Sequence, residues 1–296
     1  MNVCPTIVIT GATSGIGQIA TVELARQGAH IIFTARNENK AAATRAAIKA
    51  VAPGARIDVH YADFTSLDAV ARVGAEIAAN CEHIDVLINN AGLHAFEQRI
   101  TMDGFSEMVA VNYLAPWLLT NILRNKLISS APSRVITVAS EASRRSGRLQ
   151  ARRDICSTSA FTRLGSSKLY GRTKLMNIMF SLELARQLQG TGVAVNCLDP
   201  GFNVTGLGRE LGFAATLERV LKFLNIGNPQ RGASIIVRLA TDPAFGRESG
   251  GYFSVNDARR LSPVAPGDDL VAQQELWSVT SELLSGLWIG SLQVKA

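Results

Sequence analysis

The sequence predicts an α/β domain: a sheet of about seven parallel strands with helices wound over both faces. Three observations carry this. Short β-branched runs alternate with longer amphipathic stretches along the chain, the pattern left when parallel strands are joined by crossover helices. The 296 residues are 47% apolar and 18% charged, enough for a sizeable core and unlike a disordered chain or a coiled coil. No Pro/Gly-rich linker, low-complexity tract or tandem repeat divides the chain, so residues 1–296 read as one domain.

In chain order, strands are expected at Thr6 to Thr10, His30 to Thr34, Arg56 to Tyr61, Val86 to Asn89, Arg134 to Ala139, Val193 to Leu198 and Gly251 to Val255. Helices are expected from Gly15 to Gln27, Glu38 to Val51, Leu67 to Asn80, Asp103 to Ile128, Ser166 to Gln189, Pro229 to Ala240 and Leu270 to Ser285. Two stretches interrupt the alternation: an Arg- and Ser-rich insertion at 141–165 and a Gly- and Leu-rich segment at 202–228. Both follow the carboxyl end of an expected strand, where open α/β sheets bind ligands, and loops of this length are usually functional or disordered. The segment 202–228 is the expected substrate-binding loop; its Phe202, Leu207, Leu211, Phe213 and Leu217 point to a largely apolar substrate.

The first strand runs into Thr10-Gly11-Ala12-Thr13-Ser14-Gly15-Ile16-Gly17 and then a helix. Gly11 permits a tight turn, Gly15 lets the backbone approach a pyrophosphate, and Gly17 lets helix and strand pack closely. The helix N-terminus offers unpaired N–H groups to the anion. These features read as a dinucleotide turn in a Rossmann-type sheet, with a merely structural turn as the alternative. Where the second strand ends, an acidic residue would hydrogen-bond the ribose of NAD; the sequence has Arg36, suited to the 2′-phosphate of NADP, with a solvated surface Arg as the alternative. After the third strand, Asp63, followed by Phe64, can accept from the adenine amino group or cap the next helix.

Tyr170 and Lys174 fall one turn apart on one helix face. A phenol titrates near ~10 in water, and a neighbouring ammonium favours its anion, so the pair reads as a proton donor and acceptor eased toward neutral pH. Alone, such a pair is usually a solvated helix face. Ser140 closes the fifth strand at the ligand-binding edge, where its hydroxyl can reach a carbonyl oxygen. Asn89 and Asn90 open Asn-Asn-Ala-Gly at the end of the fourth strand, with Asn89 read as structural, and Asn112 lies in the helix that follows.

Taken together, Thr-Gly-x3-Gly-Ile-Gly, Asn-Asn-Ala-Gly, the strand-end Ser, Tyr-x3-Lys and Pro200-Gly201 followed by Thr205 resemble the short-chain dehydrogenase/reductase family, in its order, from Val3 to about Ser285. Ser167-Lys168-Leu169 before Tyr170, Ala35-Arg36-Asn37 and a Leu-Trp near the C-terminus look most like its retinol-dehydrogenase and WW-domain-oxidoreductase branch. The resemblance implies that Tyr170 is the general acid/base, that Ser140 positions the carbonyl or alcohol, and that Lys174 holds the nicotinamide ribose and lowers the pKa of Tyr170. It further implies that Asn112 anchors a relay water, and that Gly11, Thr13, Ser14, Gly15, Ile16, Gly17, Arg36, Asp63, Phe64, Asn90, Ala91, Gly92, Pro200, Gly201, Val204 and Thr205 line the cofactor. Three departures stand out: the twenty-nine residues between Ser140 and Tyr170, Asp199 where the branch usually has His, and Gly171-Arg172 inside the catalytic turn.

The remaining features narrow the class. Net charge is +6, but residues 134–174 hold ten basic and two acidic residues, or +8, leaving −2 elsewhere; this is one cationic segment, not a nucleic-acid footprint. The insertion's Arg144, Arg145, Arg148, Arg152 and Arg153 read first as a solvated flexible loop and alternatively as a site for an acidic substrate. Cys4, Cys81, Cys156 and Cys197 have no metal or disulfide spacing, and no metal site is expected. No stretch reaches the ~18 apolar residues of a membrane span. The N-terminal run reads as a strand, not a signal peptide, and a cytoplasmic location is expected. The apolar stripe Leu276, Trp277, Leu283, Leu284, Leu287 and Trp288 reads first as core packing and alternatively as a substrate lid, a subunit contact or a weak membrane anchor; His30, His60 and His83 read as ordinary, and His94 is expected to face the pocket without a catalytic assignment.

The expected function is hydride transfer between NADP, rather than NAD, and a carbonyl or alcohol carbon of a small molecule, with a homodimer or homotetramer expected from the resemblance. The rival classes are an NADP-binding redox sensor without turnover and a non-catalytic oligomeric scaffold. The intact Ser140, Tyr170 and Lys174 weigh against the sensor, and a cofactor titration separates both rivals from the enzyme reading.

Overall fold

The computed structural model describes residues 4–201 and 228–292. Seven parallel strands form one sheet: β1 (Thr6–Ile9), β2 (His30–Ala35), β3 (Ile57–Tyr61), β4 (Val86–Asn89), β5 (Ser133–Val138), β6 (Val193–Asp199) and β7 (Gly251–Ser254). Their order is β3-β2-β1-β4-β5-β6-β7, so the direction of winding reverses between β1 and β4. That reversal opens the crevice in which doubly wound sheets hold ligands.

Strand sequence explains why both faces are covered. In β1, Val8 points to one face while Ile7 and Ile9 point to the other, and Val135 opposes Ile136 and Val138 in the same way in β5. All six are buried, as the near-continuous apolar runs of a parallel sheet require. The face carrying Ile7, Ile9, Ile136 and Val138 packs under α1 (Gly15–Arg26), α2 (Glu38–Val51) and α7 (Pro229–Thr241) through Leu24, Ile48 and Ile236. The Val8 face packs under α3 (Leu67–Asn80), α4 and α6 (Arg163–Gln187) through Val70, Leu119 and Met179. Here α4 runs through Glu107–Val109, a π turn at Ala110–Leu114 and Ala115–Ser129.

The final helix, α8 (Leu270–Leu292), closes over this second layer. Its Leu276 and Leu284 are buried, and the Trp277 ring lies 5.2 Å from Trp117 and 5.9 Å from Phe180. Tyr113 of α4 donates to the Thr280 hydroxyl at 2.6 Å, since that hydroxyl itself donates to the Leu276 carbonyl. The stripe is therefore core packing at those positions. Among the described residues no helix is long and apolar enough to cross a membrane.

The structure corrects the reading at three places. Asp103 does not begin a helix: Gly104 next to it has φ of 82°, and the Asp103 carboxylate accepts from the Leu67 N–H at the start of α3 (2.9 Å). The helix carrying Tyr170 starts earlier than Ser166 because the Thr162 hydroxyl caps it, accepting from Gly165 N–H at 3.2 Å. The insertion at 141–165 is not one loop, since it folds a 3-10 turn at Glu141–Arg145 and a short helix, α5, at Ala151–Cys156.

Candidate active site

At the crevice, β1 gives way to Gly11 and Gly15, both at positive φ (68° and 58°), a conformation that L side chains rarely adopt. A Cβ on Gly11 would lie 2.8 Å from the Ala91 Cα, and one on Gly17 would collide with Asn90 Nδ2 and the Gly11 carbonyl. Glycine at 11 and 17 thus lets the turn lie flush against the end of β4. The contact is pinned by hydrogen bonds: the Thr10 hydroxyl accepts from the Asn90 and Ala91 N–H groups (3.0 Å each), while Asn90 Nδ2 donates to the carbonyls of Thr10 (2.9 Å) and Gly11 (3.1 Å).

Helix α1 begins inside this turn, and its N-cap Ser14 makes no side-chain capping bond, whereas Asn37 caps α2 and Ser66 caps α3 through their side chains. An uncapped helix N-terminus beside a glycine turn has free donors and the positive end of the helix dipole to offer a pyrophosphate. These residues fit a dinucleotide. Arg36 stands exposed directly after β2. Asp63 does not cap α3, as Ser66 takes that place; its carboxylate instead accepts from Thr65 N–H at 3.0 Å. The Phe64 side chain is buried in the core.

The chemical groups converge from four elements. Lys174 is buried, donates to the Val138 carbonyl at the end of β5 (2.8 Å) and lies 5.6 Å from the centroid of the Tyr170 ring. Ser140 follows two residues after Val138, its hydroxyl accepting from Ala142 N–H at 3.1 Å. Asn112 sits in the π turn of α4, a distortion often found at functional sites. Its Nδ2 donates to the Leu93 carbonyl (2.9 Å) and to the Thr173 hydroxyl (3.1 Å), and its Oδ1 accepts from Leu93 N–H (2.8 Å). Thr173 in turn donates to the Tyr170 carbonyl at 2.8 Å. A Cβ on Gly92 would stand 3.4 Å from Asn112 Oδ1 and 3.6 Å from Lys174 Nζ, so the Asn-Asn-Ala-Gly segment borders both. Asn89 is buried and donates to Thr120 at 2.8 Å, in keeping with a structural role.

Acidity in the site is set differently from the sequence expectation. Burial, and then the nearby Asp199 carboxylate, push the Tyr170 phenol above its ordinary range. Burial also draws the Lys174 ammonium down to about 8, with Asp199 acting against that fall. Asp199 itself is buried at the end of β6 and held high by burial, despite accepting from the Glu141 and Gly201 N–H groups.

Two residues gained importance only in the structure. Asp199 was visible as a departure, but nothing local in the sequence tied it to Tyr170 and Lys174. His94, just past Asn-Asn-Ala-Gly, stacks on the Tyr170 ring (centroids 4.7 Å apart, 17° between planes) and bonds to Ser166 at 3.1 Å. Ser166 donates to the Arg163 carbonyl, so its oxygen receives the His94 Nε2–H. Pro200 and Gly201 follow β6, with Gly201 at φ of 72°. Val204 and Thr205, with Phe202, Leu207, Leu211, Phe213 and Leu217, lie outside the described residues. A cavity of about 930 Å³ sits at the other end of α6 beside Arg186, Gly250 and Gln273, and none of the site residues above lines it.

A dinucleotide turn at the sheet's winding reversal, with a Ser just past β5 and a Tyr and a Lys on α6, defines an NAD(P)-dependent oxidoreductase acting on CH–OH groups. A sequence model of the short chain dehydrogenase family matches residues 5–151. Human retinol dehydrogenase 14 is 36% identical over 298 residues, covering 95% of this chain and 86% of that one. Human retinol dehydrogenase 13 is 33% identical over 285 residues, covering 94% and 84%. Among solved structures, a putative uncharacterized protein from Mycobacterium paratuberculosis aligns with a TM-score of 0.73 at 26% identity, covering 95% of this chain and 93% of that one. A putative NAD(P)-dependent gluconate 5-dehydrogenase from Beutenbergia cavernae, with bound NADP, aligns with a TM-score of 0.65 at 27% identity, covering 85% and 94%. The chain belongs to the short-chain dehydrogenase/reductase family.

Proposed function

We propose that the protein moves a hydride between NADP(H) and the carbonyl or alcohol carbon of a largely apolar small molecule, with Tyr170 as the general acid/base. The observation that carries this reading is the convergence of Tyr170, Lys174, Asn112 and the Ser140 end of β5 beside Gly92. When bound, the nicotinamide supplies or accepts the hydride. The chain's own residues do the rest. The Ser140 hydroxyl donates to the carbonyl oxygen and orients it, while the Tyr170 phenol gives that oxygen a proton in reduction and recovers it in oxidation. A phenol kept protonated by burial is suited to the reductive direction. Lys174 would hold the nicotinamide ribose, and Asn112, fixed to Leu93 and Thr173, would place the water that returns the proton to solvent.

The NADP preference rests on Arg36, exposed at the end of β2, whose fork of donors suits a 2′-phosphate. The apolar substrate rests on the apolar residues of segment 202–228 and on the names of the retinol dehydrogenases that this chain resembles. The test is oxidation of NADPH and of NADH by the purified protein against retinal, aliphatic aldehydes and steroid ketones. Turnover faster with NADPH and strongest on the apolar carbonyls is expected. Preference for NADH, or for polar polyols over all of these, would overturn the reading.

A further inference from the structure

We propose that the Arg172–Asp154 ion pair, together with the bare backbone at Gly171, positions Ser140 against Tyr170, and so acts on the reaction from outside the reacting atoms. The proposal rests on the proposed function, which requires both hydroxyls to meet on one carbonyl oxygen. Those hydroxyls come from separate elements thirty positions apart in sequence. Their separation is therefore set by whatever joins the segment after Ser140 to the helix carrying Tyr170.

That join is visible residue by residue. Ser140 is the N-cap of the 3-10 turn Glu141–Arg145. The turn lies directly on Gly171, the residue after Tyr170: a Cβ there would sit 2.5 Å from the Ala142 carbonyl oxygen and 3.1 Å from Ser146 N. No larger residue leaves that approach intact. One position further on, Arg172 Nε donates to the Ser146 carbonyl (3.1 Å), and its Nη1 donates to Asp154 Oδ1 (2.8 Å). The other oxygen of Asp154 accepts from Gln150 N–H at 2.8 Å, which fixes the start of α5. At the opposite side, Asp199 Oδ1 takes the Glu141 N–H at 3.0 Å and ties the same turn to β6.

Burial separates this pair from the insertion's other ion pairs. The Asp154 side chain is 5% exposed and that of Arg172 23%, whereas Arg144 with Glu141 and Arg152 with Glu282 are on the surface. Exposed pairs contribute little, but removing one partner of a buried pair strands a charge away from water and drives the segment to rearrange. Any such rearrangement pulls on Ser140 at one end and on the turn of α6 that bears Tyr170 at the other. The three departures noted in the sequence, namely the long insertion, Gly171-Arg172 and Asp199, are thus parts of one brace.

The test measures NADPH oxidation with all-trans-retinal, decanal and benzaldehyde, alongside NADPH affinity by fluorescence titration and thermal midpoint. Arg172→Gln and Asp154→Asn are each expected to lower kcat about ten- to a hundredfold, the scale of a small misplacement of reacting groups. NADPH affinity should stay within about twofold, since the dinucleotide turn is untouched. The Arg172→Gln/Asp154→Asn double variant, which strands no charge, should be no worse than the worse single variant, and it serves if a single variant fails to fold. A lower thermal midpoint with unchanged kcat would make the pair a structural tie only and overturn the proposal, as would equal losses of NADPH affinity and kcat. An active wild type with indifferent variants refutes the brace alone; an inactive wild type on all three carbonyls removes the reaction itself and overturns both readings.

Discussion

The two halves of the site are built by different means. The dinucleotide turn is set by backbone conformation and close approach: positive φ at Gly11 and Gly15, with the Thr10 and Asn90 side chains bonded to main-chain amides and carbonyls. The half proposed to perform proton chemistry is held by side chains from distant segments: Lys174 on the Val138 carbonyl, Asn112 on Thr173, His94 on Tyr170 and Arg172 on Asp154. The first depends on which residues lack a Cβ, the second on where charges and rings find partners. The lesson is that cofactor binding should fail through sterics, and catalysis through electrostatics and placement.

Substitutions can break this contrast, beginning with the largest effect. Tyr170→Phe keeps the ring and its stack on His94 but removes the proton, so turnover should fall about 10²- to 10⁴-fold while NADPH still binds; stopped-flow reduction alongside a binding titration separates the two. Arg36→Ala removes a charge-assisted partner worth about 1.5–3 kcal/mol, and should weaken NADPH roughly ten- to a hundredfold while leaving NADH nearly unchanged. Parallel titrations with the two dinucleotides check it. Gly17→Ala, whose Cβ collides with Asn90 and the Gly11 carbonyl, should destabilise the fold by about 1–3 kcal/mol and weaken both dinucleotides.

The same contrast accounts for what could be read from sequence. All seven strands and the dinucleotide turn were legible, because β-branched runs and glycine spacing are local signals that this sheet obeys. So was the sharing of one helix face by Tyr170 and Lys174. The environment of that pair was not. Spacing alone suggested that the ammonium would make the phenol more acidic, but burial and Asp199, brought in by β6 from 29 residues further along, outweigh it. Likewise the insertion's arginines looked like a solvated loop, whereas its one buried carboxylate, Asp154, pairs with an Arg on the helix that carries Tyr170. Local pattern carries no information about such long-range partners.

Smaller effects sharpen the electrostatic half. Lys174 carries its proton in the free protein below about 8, so kcat/KM for NADPH should fall as pH rises through that value and the ammonium is lost. Asp199 raises both Lys174 and Tyr170, with Glu141 and Tyr252 as its other titratable neighbours. Asp199→Asn keeps an oxygen for the Glu141 N–H but removes the charge, and should move this basic limb to lower pH. A pH profile of the variant that coincides with wild type would contradict this. The smallest change is expected from Gly92→Ala, where the added methyl meets Asn112 and Lys174 at ordinary contact distances: under about 0.5 kcal/mol in a denaturation midpoint.

The placement of the reacting groups is tested most directly by a crystal structure with NADP and a bound carbonyl inhibitor. The carbonyl oxygen should lie within about 2.6–3.2 Å of both Tyr170 Oη and Ser140 Oγ, with Arg36 on the 2′-phosphate. A carbonyl oxygen bound elsewhere, with the Tyr170 hydroxyl turned away from the nicotinamide, would contradict the assignment of proton transfer to this residue.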